Sequence, residues 1–221
     1  AAPIQNHSVN ISGGNEKTRF SVTGSMFDQE GIIKNSSYTR YNIVSNIHND
    51  ISSKFSVDAT LNLSKNQIQQ KLSDQGRFGT SLIGRAFSIP PMLPVYEEDG
   101  SYMEPVERHP WVYEALYSPM NFIYEQSDEV AEKNVLANAA ISYKIIDGLV
   151  LKISGGVESR NARNDFYQTK SFQNNPNGVA RVGVTDFTSL LNENTLSYDQ
   201  TFGDQHSISA VTGFTYQNFL T

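Results

Sequence analysis

The sequence predicts an all-β fold: an antiparallel, up-and-down meander of about eight strands with the proportions of a transmembrane β-barrel wall. Three observations predict it. Apolar and polar residues alternate through most of the chain, tight turns alternate with long connections, and no apolar run approaches the roughly 20 residues of a membrane helix. The 221 residues include no cysteine, which removes disulfides, thiolate metal sites and thiol catalysis together. A net charge of −6 argues against a nucleic-acid partner. Only 18% of residues are charged, the balance being made up by Ser, Thr, Asn and Gln, while 11% aromatics separate the chain from a disordered one.

A short strand near 7–13 opens the meander. Near 17–28, Phe20, Val22, Gly24 and Met26 alternate with Arg19, Ser21, Thr23 and Ser25. Near 38–48, Tyr41, Ile43 and Ile47 oppose Asn42, Asn46 and His48. The alternation is strictest near 54–66, where Phe55, Val57, Ala59, Leu61 and Leu63 point one way and Ser56, Asp58, Thr60, Asn62 and Ser64 the other. It recurs near 133–146, 149–160, 191–202 and 206–218. Four turns are tight (Gly14-Asn15-Glu16, Asn49 to Ser53, Asp147-Gly148 and Gly203-Asp204-Gln205), each with residues that tolerate positive φ.

Between them lie connections at 29–37, 67–132 and 161–190, the last two far longer than the roughly 12–15 residues usual in compact domains. Short turns at one end and long loops at the other are the habit of an outer-membrane barrel, with the loops extracellular. Ser, Thr and Asn dominate the polar face, as suits a wet lumen. The small residues there, such as Ser21, Thr23, Ser142, Ser154 and Gly213, would underfill a closed eight-stranded barrel. The strands are therefore expected to be a section of a wider one, with the first and last pairing to further strands.

Within 67–132, residues 81–89 are expected to form a short helix with Leu82, Ile83, Ala86 and Phe87 on one face, ended by Pro90-Pro91. Glu97, Glu98 and Asp99 lie between Tyr96 and Tyr102, and Asp99-Gly100 reads as a hairpin tip rather than a catalytic carboxylate group. The four histidines lack metal-ligand spacing, and no cofactor motif is evident. Arg108 to Tyr113, with Trp111 and Tyr113, and then Tyr117 gather aromatics in a polar setting. They read either as a platform for a sugar ring or peptide side chain, or as packing of the loop on the barrel rim.

The first hairpin, Gly13-Gly14-Asn15-Glu16-Lys17-Thr18-Arg19-Phe20-Ser21-Val22, resembles the start of a barrel strand in the SusC/RagA family of TonB-linked outer-membrane transporters. The resemblance continues through Phe27-Asp28-Gln29-Glu30-Gly31-Ile32-Ile33-Lys34-Asn35-Ser36 and Tyr38-Thr39-Arg40-Tyr41-Asn42, and again at Pro94 to Tyr102. It implies a barrel of ~22 strands that imports large nutrients, glycans or peptides, across the outer membrane without chemistry on the substrate. It also implies a SusD-like surface lipoprotein as lid, TonB as energy coupler, and outer-membrane lipid around the wall. On this resemblance Tyr96, Tyr102, Trp111 and Tyr113 become candidate substrate or lid contacts. Nothing in the sequence resembles a plug domain or TonB box, so the chain is expected to be an internal piece of the barrel domain.

Two other functions compete. A self-contained eight-stranded outer-membrane enzyme or adhesin would need polar groups clustered at the loop ends of the strands. A soluble carbohydrate-binding β-sandwich would bury the apolar faces of two sheets against each other.

Overall fold

The computed structural model describes residues 2–71, 81–103, 105, 118–172, 177–203 and 206–220. Eight strands form one sheet: β1 (Ile4–Gly14), β2 (Thr18–Glu30), β3 (Ser37–Asp50), β4 (Phe55–Gln69), β5 (Gln126–Ile146), β6 (Leu149–Gln168), β7 (Val179–Phe202) and β8 (His206–Leu220). Every neighbouring pair is antiparallel and the order in the sheet is the order in the chain. β1 and β8 are its two edges and do not pair with each other, which is the geometry of a wall section rather than of a small closed barrel.

The registers put the alternating residues on common faces. Phe55, Val57, Ala59, Leu61 and Leu63 stand opposite Tyr143, Ile141, Ala139, Ala137 and Val135. Ile43 and Ile47 continue that face through Leu63 and Ala59, and Gly24 and Phe20 continue it again. No described residue covers it: Ile43, Ile47, Ile141 and Ile153 are each about half exposed. Burying a side chain of that size is worth about 1.5–3 kcal/mol, so an apolar face left open along the sheet has the character of the outer face of a membrane barrel. The β-sandwich needs a second sheet here, and among the described residues there is none. From Phe55 to Leu63 the apolar stretch matches the ~25 Å band of outer-membrane barrels.

The strands run further outward than the alternation predicts. β5 begins at Gln126, not near 133, β6 runs on to Gln168, and β7 begins at Val179, not near 191. The connections expected at 67–132 and 161–190 therefore shrink to 70–125 and 169–178, and the one expected at 29–37 to 31–36. The added segments carry charge on both faces, as in Asp128, Glu129, Glu132 and Lys133. Hydrogen-bonded pairing holds them, and with water on both sides there is no apolar face to impose a period.

Among the described residues, buried apolar packing gathers at the loop end. Leu82 of α1 (Leu82–Ser88), Phe122 of α2 (Pro119–Tyr124) and Phe172 form one cluster, with Ile33 and Ile123 against it. Ser81 caps α1 and Ser118 caps α2, each side-chain oxygen accepting from a backbone amide of the first turn. α1 does not present the expected face. It buries Leu82 and Arg85, whereas Ile83 and Phe87 are exposed, Phe87 at 87%. The reason is local: α1 packs against α2, and the side facing α2 is the one carrying Leu82.

Candidate functional site

The loop cluster is built from three connections. Around Asp99-Gly100 the chain doubles back, with Tyr96 and Tyr102 bridged and Gly100 at φ +83°. The Asp99 carboxylate accepts from the Ser101 amide at 2.9 Å and hydroxyl at 2.6 Å, and these bonds hold it below the ordinary range. The expected hairpin tip is therefore present. It sets two rings side by side: Tyr96 and Tyr102 have centroids 5.5 Å apart.

A third ring completes the stack. Tyr124, at the end of α2, lies 5.4 Å from Tyr102 with planes 17° apart. Lys34, from the β2–β3 connection, sits 5.1 Å above the Tyr124 ring centroid and donates to its hydroxyl at 2.5 Å. That hydrogen bond raises the Lys34 pKa, and burial raises that of Tyr102. Lys71 fastens the base, its amine donating to the carbonyls of Ile123 and Gln126, and burial lowers its pKa. Asn35, at φ 60°, donates to the same Ile123 carbonyl.

Tyr96 at the outer end is half exposed, so the row ends in an accessible ring, while the Lys34 ammonium covers Tyr124 at its other end. An accessible ring takes apolar C–H surfaces, and the phenols and ammonium supply hydrogen bonds. Among the described residues no nucleophile–base pair stands beside it. Trp111 and Tyr113 lie outside the described residues. Tyr124 and Lys34 escaped sequence reasoning because both come from other connections, and no spacing in the sequence relates them to Tyr102.

Below the loops, the polar face of the sheet holds a hollow of about 650 Å³ between β4, β5, β6 and β7. Glu132 accepts from Asn66 at 3.0 Å. Arg160 is paired with Glu158 and lies 5.6 Å over the Phe187 ring. Asn134 donates to Ser64. Carboxamide, carboxylate and guanidinium groups thus share one concave wall with the apolar Leu136, Ala162 and Phe187. Among the described residues no group of three or more acidic or histidine side chains could hold a metal ion.

Comparison with known proteins bears on what this wall belongs to. No family model matches the chain. It is 27% identical over 219 residues to TonB-dependent receptor P3 of Formosa agariphila, covering 97% of this chain and 21% of that receptor. It is 27% identical over 226 residues to TonB-dependent receptor P26 of the same organism, covering 100% of this chain and 22% of that receptor. This chain is a relative of the TonB-dependent receptors. It spans about a fifth of the length of the curated relatives it matches. In fold, the eight-stranded sheet superposes on the RagAB peptide importer in its closed-closed state with a TM-score of 0.80. That match has 20% identity and covers 99% of this chain and 24% of that one. These relatives are named as receptors or importers, not as enzymes.

Proposed function

We propose that this chain forms part of the wall and outer mouth of an outer-membrane transporter that imports large nutrients, glycans or peptides, energised through TonB. The observation that carries the reading is the uncovered apolar face of a sheet whose other face is polar and hollowed. Whole-length likeness to TonB-dependent receptors, and the fold shared with a peptide importer, support it. Residues 1–221 are one barrel section with no domain boundary, and the connections at 31–36, 70–125 and 169–178 are extracellular.

Tyr96 and Tyr102, with Trp111 and Tyr113 from the same connection, serve as substrate or lid contacts. The lid is a SusD-like surface lipoprotein. Support comes from the exposed ring of Tyr96 and from the exposed Ile83, Phe87 and Met92 of the same connection, apolar groups that a lipoprotein would cover on closing. The self-contained enzyme or adhesin loses support, because β1 and β8 do not close on each other.

A deletion strain grown on single glycans and single peptides tests this. One nutrient class should fail to support growth, and the intact gene should restore it. A strain that grows normally on every glycan and peptide, in the absence of a second such transporter, sinks the proposal.

A further inference from the structure

Lys65 of β4 and Lys133 of β5 are direct register partners. Lys65 also faces Tyr41 of β3, and Lys133 faces Asn161 of β6. The alternation places these side chains on the apolar face of the sheet, one row beyond Leu63 and Val135 towards the loops. Like charges directly opposite each other destabilise a sheet, and no described residue relieves this pair. Both lysines are exposed, and among the described residues neither makes an ion pair or hydrogen bond.

Four acids on the same face are engaged elsewhere. Asp186 takes the Asn161 amide, Asp165 pairs with Arg163, Glu129 accepts from Ser127 and Asp28 from Thr39. At the tight-turn rim the arrangement differs, since Lys144 is held by Asp147 at 2.6 Å. An unrelieved pair of ammonium groups therefore stands at the loop rim.

We infer that Lys65 and Lys133 clamp the phosphate of an anionic lipid in the leaflet on the loop side. This rests on the outer-membrane reading above. If Phe55 to Leu63 cross the hydrocarbon, the next row stands at headgroup level, where an exposed tyrosine such as Tyr41 is at home. Lysine stems lie along apolar surface while their ammonium groups reach the polar boundary. Opposed residues have Cβ atoms about 4.5–5.5 Å apart, close enough for both ammonium groups to reach one phosphate. The attraction replaces the repulsion that the pair otherwise suffers. Free phosphate would gain little from two hydrated lysines, whereas a lipid is already held at this height by its acyl chains.

The test uses the full-length transporter that carries this segment, purified in mild detergent, with lipid binding read by native mass spectrometry. The probes are diphosphoryl lipid A, monophosphoryl lipid A, phosphatidylethanolamine and inorganic phosphate. The double variant K65Q/K133Q should bind diphosphoryl lipid A about thirtyfold more weakly, from about 1 kcal/mol for each of the two basic residues near an anionic surface. K152Q, from the polar face, should bind like the unmodified protein. Monophosphoryl lipid A should bind more weakly, phosphatidylethanolamine more weakly still, and millimolar inorganic phosphate should not compete.

If the double variant fails to fold, K65Q alone should show a smaller loss in the same direction. Unchanged lipid A affinity in a variant shown to be folded by heat-modifiable gel mobility overturns the inference and leaves the transporter reading intact. So does competition by inorganic phosphate. A protein that stays monomeric in water without detergent overturns both.

Discussion

Phe55 and Tyr143 stack face to face across β4 and β5, with ring centroids 4.5 Å apart and planes 26° apart. They stand at the tight-turn end of the apolar face, as Tyr41 stands at the loop end, so aromatic side chains bracket the apolar rows between them. Aromatic belts at both membrane boundaries are how such walls are set at a fixed height in a bilayer. That bracket fixes which residues meet hydrocarbon, and it makes the face assignment testable one residue at a time.

Arginine at position 59 should cost on the order of 2–4 kcal/mol in a lipid-folding titration. Arginine at position 60, one residue along on the polar face, should cost little. Equal penalties for Ala59→Arg and Thr60→Arg would mean the faces are wrongly assigned.

Gly148 turns β5 into β6 at φ +80°, and a Cβ there would meet the Asp199 carbonyl oxygen at 2.5 Å. Gly148→Ala should destabilise the barrel by more than about 1 kcal/mol, since both the backbone conformation and the space exclude a side chain. Urea unfolding from vesicles measures it, and an unchanged midpoint would contradict the turn geometry.

Removing Tyr124 takes away one ring of the stack and the acceptor of Lys34 together. Each aromatic pair is worth about 0.5–1.5 kcal/mol, so Tyr124→Ala should leave barrel folding unchanged while speeding protease cleavage between residues 70 and 125. Tyr124→Phe keeps the ring and loses only the hydrogen bond, and should fall between. Three identical cleavage rates would show that the stack does not hold the loop.

The tip at Asp99 should loosen in acid. Its folded pKa lies below the ordinary 3.8 because Ser101 donates to the carboxylate. The bonds therefore stabilise the tip fully above that ordinary value, and the contribution is lost as pH falls through the lower folded value. Hydrogen exchange at the Ser101 amide should quicken, beyond its intrinsic pH dependence, between about pH 5 and about pH 2, and Asp99→Asn should abolish the excess. A Ser101 amide with the same protection factor at both pH values would rule this out.

Surface protease on intact cells should cut within 70–125 or 169–178 and spare Asp147-Gly148. Cleavage confined to the tight turns would invert the assigned orientation.

How much of this was legible in the sequence follows from what surrounds each residue. Between Phe55 and Leu63 every second side chain stands on the apolar face and every other one on the polar face, so the two surroundings of the sheet write a period of two into the chain. That was enough to assign eight strands, their faces and their alternating turns. Beyond the membrane boundary both faces of β5, β6 and β7 meet water, the period disappears, and only backbone pairing shows that these strands continue to Gln126, Gln168 and Val179. α1 misled for a related reason, because its apolar face runs from Leu82 round to Phe87 and only packing on α2 decides which edge of it is buried. The stack of Tyr102, Tyr124 and Lys34, like the opposition of Lys65 and Lys133, depends on residues far apart in sequence. Their meeting is set by the register of the whole sheet and the way three connections fold onto its rim, and no local pattern of side chains encodes either.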